Sequence, residues 1–171
     1  MPEKNYNQNG FKSYYSVYTM KIINAIPGFG PDLTEEKINQ FLQSKLNLQL
    51  GTIDDKGEPC INPVWFIHQN SKLYVTTPEQ SRKAQNALRG DAIYFSIDDE
   101  TFPYKGVKGK ATVKLLDDFE AKLAIAETII TKYMGGLDND IGRFIIDQIK
   151  EGNEAVLEIT PKYYSAWSFE Q

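Results

Sequence analysis

The sequence holds one cysteine and one histidine, and each scarcity excludes chemistry. Cys60 alone permits no disulfide within the chain, which fits a reducing cytoplasm. With His68 as the single histidine, a Cys/His zinc site and a two-histidine iron triad are out of reach. A Ser-His-Asp triad would have to use His68, and no G-x-S-x-G elbow accompanies it. His68 closes an apolar run beside Gln69-Asn70 and reads as a surface histidine near a turn. Long apolar runs are missing too, and none approaches the roughly 18 residues of a membrane span. The opening MPEKNYNQNG lacks the apolar core of a signal peptide. A cytoplasmic protein with no membrane contact is the expectation. Basic excess is also lacking: the net charge is −4, so a grip on nucleic acid is not expected. An enzyme so poor in acid–base side chains would draw its chemistry from a bound cofactor.

What is present is an ordinary globular chain of 171 residues, 41% of them hydrophobic, enough for one domain with a full core. Residues 1–31 carry Tyr6, Tyr14, Tyr15 and Tyr18 and read as an extended arm that packs on the domain or on a partner, ended by Pro27-Gly28 and Gly30-Pro31. A single domain of residues 32–171 follows. Asp32 with Glu35 makes a capping box for a helix of about residues 33–45. A half-buried strand runs from Leu46 to Thr52, and Asp54-Asp55-Lys56-Gly57 turns it. Residues 59–68 read as one strand, with Val64-Trp65-Phe66-Ile67 buried on both faces. Pro63 removes a ladder donor there, so the strand is an edge, a bulge, or a place where backbone is offered to a ligand.

Further strands are expected at residues 73–77, 92–98, 104–116, 155–160 and 163–169, the last two both alternating. Gly106 and Gly109 interrupt the long fifth strand, for barrel closure or for close packing of a flat ligand. Asp117 or Asp118 caps a helix to about Met134, with Leu123, Ala126, Ile130 and Tyr133 as its stripe and Gly135-Gly136 as its stop. Asp138 or Asn139 starts another to about Lys150, with Ile141, Phe144, Ile145 and Ile149 inward. The sum is a mainly β (β+α) fold of six to seven antiparallel strands with peripheral helices, curled into a small barrel.

The most suggestive stretch is residues 73–90, LYVTTPEQSRKAQNALRG. A strand meets a proline turn and then Ser81-Arg82-Lys83, which opens a helix with Ala84, Ala87 and Leu88 on one side and Gly90 at its end. Ser81 is a good cap, and the N–H groups and dipole at a helix start favour an anion. Two cations in the first turn oppose the dipole. A phosphate would compensate them, although a solvated basic turn is the commoner case.

Several stretches together resemble the split-barrel flavoproteins related to pyridoxamine 5′-phosphate oxidase. They are Pro63-Val64-Trp65-Phe66, Leu73-Tyr74-Val75-Thr76-Thr77, Ser81-Arg82-Lys83-Ala84, the run from Phe102-Pro103-Tyr104-Lys105-Gly106 to Ala111, Thr160-Pro161 and Trp167-Ser168-Phe169. The resemblance implies an antiparallel split β-barrel and a homodimer with flavin mononucleotide (FMN) in a cleft between subunits. It implies that Arg82 and Lys83 hold the phosphate, with hydroxyls from Ser81, Thr77 and the neighbouring Thr76. Strand residues Ile61, Asn62, Pro63, Val64, Trp65 and Phe66 would run beside the flavin ring, Tyr104 and Lys105 would approach it, and Trp167 would cover it or sit in the core. A small-molecule substrate and flavin hydride transfer follow from the same likeness. Within this fold the alternatives are a reductase using a deazaflavin coenzyme, whose acidic tail would call on Lys105, Lys108 or Lys110, and a non-catalytic flavin-binding module. The Arg-Leu-x-Pro signature that the family's oxidases carry for the substrate phosphate is absent, since no arginine follows Arg143.

Overall fold

A computed structural model of the protein describes residues 20–28 and 33–170. The tyrosines expected in the arm, Tyr6 to Tyr18, and the Asp32 cap lie outside the described residues. Among the described residues the chain forms nine strands and four helices. In chain order they are β1 (Ile22–Asn24), α1 (Glu35–Leu42), β2 (Leu48–Ile53), β3 (Pro59–Val64), β4 (Ile67–Gln69), β5 (Lys72–Pro78), α2 (Arg82–Arg89), β6 (Ile93–Asp99), β7 (Lys105–Leu115), α3 (Phe119–Met134), α4 (Asp140–Lys150), β8 (Glu154–Pro161) and β9 (Tyr164–Ser168). No helix among them is long and apolar enough to cross a membrane.

The strands form one mainly antiparallel sheet in the order β3-β2-β6-β7-β8-β5-β4. β7 is the longest strand and bridges the two parts. One edge pairs with β6; the other pairs with β9 along Lys105–Lys108 and then with β8 from Ala111. β1 adds a short parallel pairing to β9. The two ends of the sheet path, β3 and β4, are neighbours in sequence with only Trp65 and Phe66 between them. Two residues reach about 7 Å, so the sheet must curl until its ends nearly meet. That seam makes it a split barrel.

Two apolar clusters lie on either side of the sheet. Inside the barrel are Leu48, Leu50, Phe66, Val75, Phe95, Val107 and Leu157. Between the outer face and α3/α4 are Ile67, Tyr74, Ile129, Tyr133, Ile149 and Val156. β8 serves both clusters, so its first six residues are all buried and the expected alternation is absent. β9 does alternate.

Several local expectations need correction. Thr34, whose hydroxyl accepts from the Lys37 N–H, caps α1, and the helix stops at Leu42 because the next two N–H groups bond three residues back. The expected strand of residues 59–68 is two strands, β3 and β4. In α2 Leu88 faces solvent, while Asn86 turns inward and accepts from Arg89. In α4 Ile141 and Phe144 are exposed at 47% and 63%. The cause is Gly142, where α4 approaches α3 so closely that a Cβ would lie 3.0 Å from the Ile130 side chain. That contact rotates Gly142 and Ile149 inward. His68 is not a free surface side chain: it is half-buried, with Nε2 lacking a partner. Burial and nearby Lys132 lower its pKa to about 4. Asp118 and Asn139 are the caps of α3 and α4, and Gly135 ends α3 in the left-handed conformation.

The glycines of β7 make room for the protein's own side chains. A Cβ on Gly106 would lie 2.4 Å from the Trp167 ring, and one on Gly109 would lie 2.2 Å from the Tyr163 carbonyl oxygen. Gly109→Ala is therefore expected to lose about 1–3 kcal/mol or more from overpacking. Gly136→Ala, with open space at its Cβ, should stay close to wild type. Urea denaturation of the two variants checks the contrast, and equal midpoints would contradict it.

Candidate functional site

The seam creates the site. Phe66 is fully buried, yet it lies between strands, so its peptide groups have no ladder partners. A buried N–H or C=O left unpaired is costly. The end of α3 supplies the missing partners. The Phe66 N–H donates to Tyr133 Oη at 3.2 Å, and Lys132 Nζ donates to the Phe66 carbonyl at 3.0 Å. The Tyr133 O–H in turn donates to the Leu46 carbonyl at 2.6 Å. Lys132 Nζ also sits 3.8 Å from the Phe66 ring centroid. Burial lowers the Lys132 ammonium to about 8 and pushes the Tyr133 phenol up to about 12. Trp65, turned to the other side, stacks on Tyr133 with ring centroids 4.8 Å apart.

Trp65 forms one wall of a cavity of about 310 Å³ between β3, β5 and the start of α2. Pro63, Val64, Trp65, Thr76, Thr77 and Lys83 of the expected set line it together. Ser81 caps α2, accepting from the Ala84 N–H at 3.3 Å, and its hydroxyl lies 3.1 Å from that of Thr77. Arg82 is exposed at the rim and does not line the cavity. Neither Arg82 nor Lys83 forms an ion pair among the described residues. The cavity therefore presents an unneutralised lysine, two hydroxyls and a helix start, a set of donors suited to an anion.

The rest of the expected set is scattered within one chain. Phe66 points into the barrel core. Asn62 is half-buried and lines neither this cavity nor the next. Ile61 is 72% exposed and lines a second cavity of about 570 Å³ with Gln49, Gly51, Tyr94, Lys108 and Tyr163. Because side chains alternate, Ile61 and Pro63 share one face of β3, with one residue on each cavity. Tyr104 packs edge-on against Phe102 and Phe169. Lys105 is ion-paired to Glu170 at 2.9 Å. Trp167 is half-buried against Gly106, with Lys108 Nζ 5.9 Å from its ring centroid.

Sequence reasoning missed four cavity residues: Asn47, Pro78, Ile145 and Glu154. Glu154 opens β8 after the Gly152-Asn153 turn, where an acidic residue looks like part of the turn. In fact it is only 7% exposed. Burial raises its carboxyl to about 7, against the opposing pull of Lys83.

A family model described as Pyridoxamine 5′-phosphate oxidase matches residues 34–168. No curated protein sequence matches the chain. Solved structures do. A conserved hypothetical protein from Mycobacterium tuberculosis superposes with a TM-score of 0.70 at 21% identity, over 81% of this chain and 87% of that one. An F420 reductase gives 0.59 at 20% identity, over 80% and 98%. HutZ, the heme storage protein from Vibrio cholerae, gives 0.60 at 18% identity, over 78% and 93%. At these identities the likeness is one of fold.

Tyr133→Phe keeps the ring stacked on Trp65 but strands the Phe66 N–H and the Leu46 carbonyl. It is expected to cost about 1–3 kcal/mol, the penalty for unmet buried polar groups. Urea unfolding measures this, and a loss near zero would mean that the seam does not depend on the phenol.

Proposed function

The chain belongs to the pyridoxamine 5′-phosphate oxidase family, and on that premise we propose that it is an FMN-binding oxidoreductase acting on a small molecule. The observation that carries this reading is that β3 places Pro63 on one cavity and Ile61 on another. The first is lined by Lys83; the second is larger and bordered by Tyr94 and Tyr163. A mononucleotide with a long linker to a flat ring matches that arrangement. In this reading Lys83 and Ser81 bind the phosphate, assisted by Thr76, Thr77 and by Arg82 from the rim. Ile61 to Trp65 flank the ring, with Asn62 contributing through its backbone. The flavin supplies hydride transfer, and the protein supplies binding and orientation. The sparse acid–base inventory of the chain agrees with that division.

The proposed assembly is a homodimer. Tyr104, Lys105 and Trp167 stand apart from the Lys83 cavity within one chain, and in the dimer they approach the flavin from the second subunit. The charge distribution favours FMN over a deazaflavin coenzyme with a longer acidic tail. Of the three lysines such a tail would call on, Lys105 is already paired with Glu170, Lys110 lies over the Tyr94 ring, and only Lys108, near the Trp167 ring, lines the second cavity. A haem held by an axial histidine is also disfavoured, because His68 lines none of the cavities described.

Titration of the apoprotein with FMN, followed by flavin fluorescence, tests the proposal. Wild type is expected to bind, and Lys83→Gln to bind roughly 10- to 100-fold more weakly, the value of one charge-assisted contact. Arg82→Gln should lose less, as befits a rim residue. No uptake of FMN by wild type, or equal affinity in Lys83→Gln, would overturn it.

A further inference from the structure

The Lys83 cavity contains one group that simple phosphate binding does not require. Glu154 is more than nine-tenths buried and lines the cavity with Lys83. No ion pair closes between the two, and among the described residues the carboxyl has no side-chain hydrogen bond. In so buried a residue, a carboxyl without a partner is costly in its charged form and tolerable in its neutral form. A carboxylate beside an entering phosphate would add like-charge repulsion. A carboxylic acid in the same position would instead donate a hydrogen bond to a phosphate oxygen.

We propose that Glu154 is part of the phosphate-binding site and binds there as the neutral acid, so that each phosphate monoester that enters takes up a proton when Glu154 starts ionised. This rests on the flavin reading for the identity of the ligand, and on the cavity alone for the anion chemistry. The bookkeeping is simple: Lys83 provides the positive charge, Glu154 provides a donor, and the phosphate keeps its own charge. The other groups around Glu154 do not provide this coupling. β5 presents Thr76, Thr77 and Pro78, and α4 presents Ile145. Tyr133 of α3, behind Trp65, stays neutral because its phenol is pushed up to about 12. Lys132, at about 8, titrates in a similar range, but it is behind the seam and does not line the cavity. Glu154 itself sits at about 7 in the free protein. Its raised value means that the neutral form is favoured below this point and that binding must restore it above.

The test compares wild type with Glu154→Gln, which keeps a donor and removes the titration. FMN affinity is measured by fluorescence between about pH 6.5 and about pH 9, where one coupled proton weakens binding about tenfold per unit above the free midpoint. Wild type should show that slope, and Glu154→Gln should be flat and bind more tightly at the upper end. Parallel profiles, or a variant weaker at every pH, would overturn the proposal. If neither protein binds FMN, the flavin reading fails separately. Inorganic phosphate is then the probe, with the Glu154 carboxyl of wild type followed by carbon-13 NMR. A midpoint raised by saturating phosphate supports the proposal, and an unmoved midpoint overturns it.

Discussion

The structure depends on how the buried peptide of Phe66 is satisfied. A seven-strand path whose two ends are joined by a dipeptide has to leave the sheet ladder and rejoin it within that dipeptide. Leaving the ladder strands an N–H and a C=O in the core, and Tyr133 and Lys132 meet both. These contacts fix the angle at which Trp65 leaves the sheet, and Trp65 in turn bounds the cavity that ends at Lys83. The helix that follows β7 is thus more than a cover for the outer sheet face. Its last turn braces the opening in the barrel, and it does so with neighbouring residues that face different parts of one peptide.

The charges of the site follow from this architecture. Lys83 sits at the start of α2 because the Pro78 turn and the Ser81 cap end β5 there. Glu154 faces it because β8 begins opposite the last residue of β5, in the pairing of Pro78 with Glu154. The cation and the acid are therefore brought together by strand register, and among the described residues neither is neutralised by an ion pair. The second cavity is lined in part by Gly51 and Gly109, which place backbone at its wall. At Gly109 the inner side is filled by Phe95 and the Tyr163 backbone, which leaves no room for a side chain.

Much of this was legible in the sequence, wherever a local rule decides the outcome. Ser81 announced its helix, Asp118 and Asn139 were among the possible caps, and an edge strand, which β3 is, was one of the three readings of Pro63. The mainly antiparallel split-barrel fold was readable from turns, periodicity and the family resemblance, but the order of the strands in the sheet was not. What could not be read depended on distant partners. Nothing in Val64-Trp65-Phe66-Ile67 signals a break, because the groups that make it tolerable come from Lys132 and Tyr133, more than sixty residues away. The same holds for Glu154, whose burial depends on β5 and α2, and for α4, whose apolar stripe was misjudged until the close contact at Gly142 set its rotation. The exposed Ile141 and Phe144 show that periodicity identifies a helix more reliably than it identifies the buried face.

In the proposed function, the cavity between the seam and α2 receives the phosphate of a flavin. A crystal structure of the protein grown with FMN is the direct test. Phosphate density is expected beside Lys83 Nζ and the Ser81 hydroxyl, with the ring extending along the outer face of β3 towards Ile61. A flavin seated with its phosphate at Lys108, or outside the cavity altogether, would contradict it.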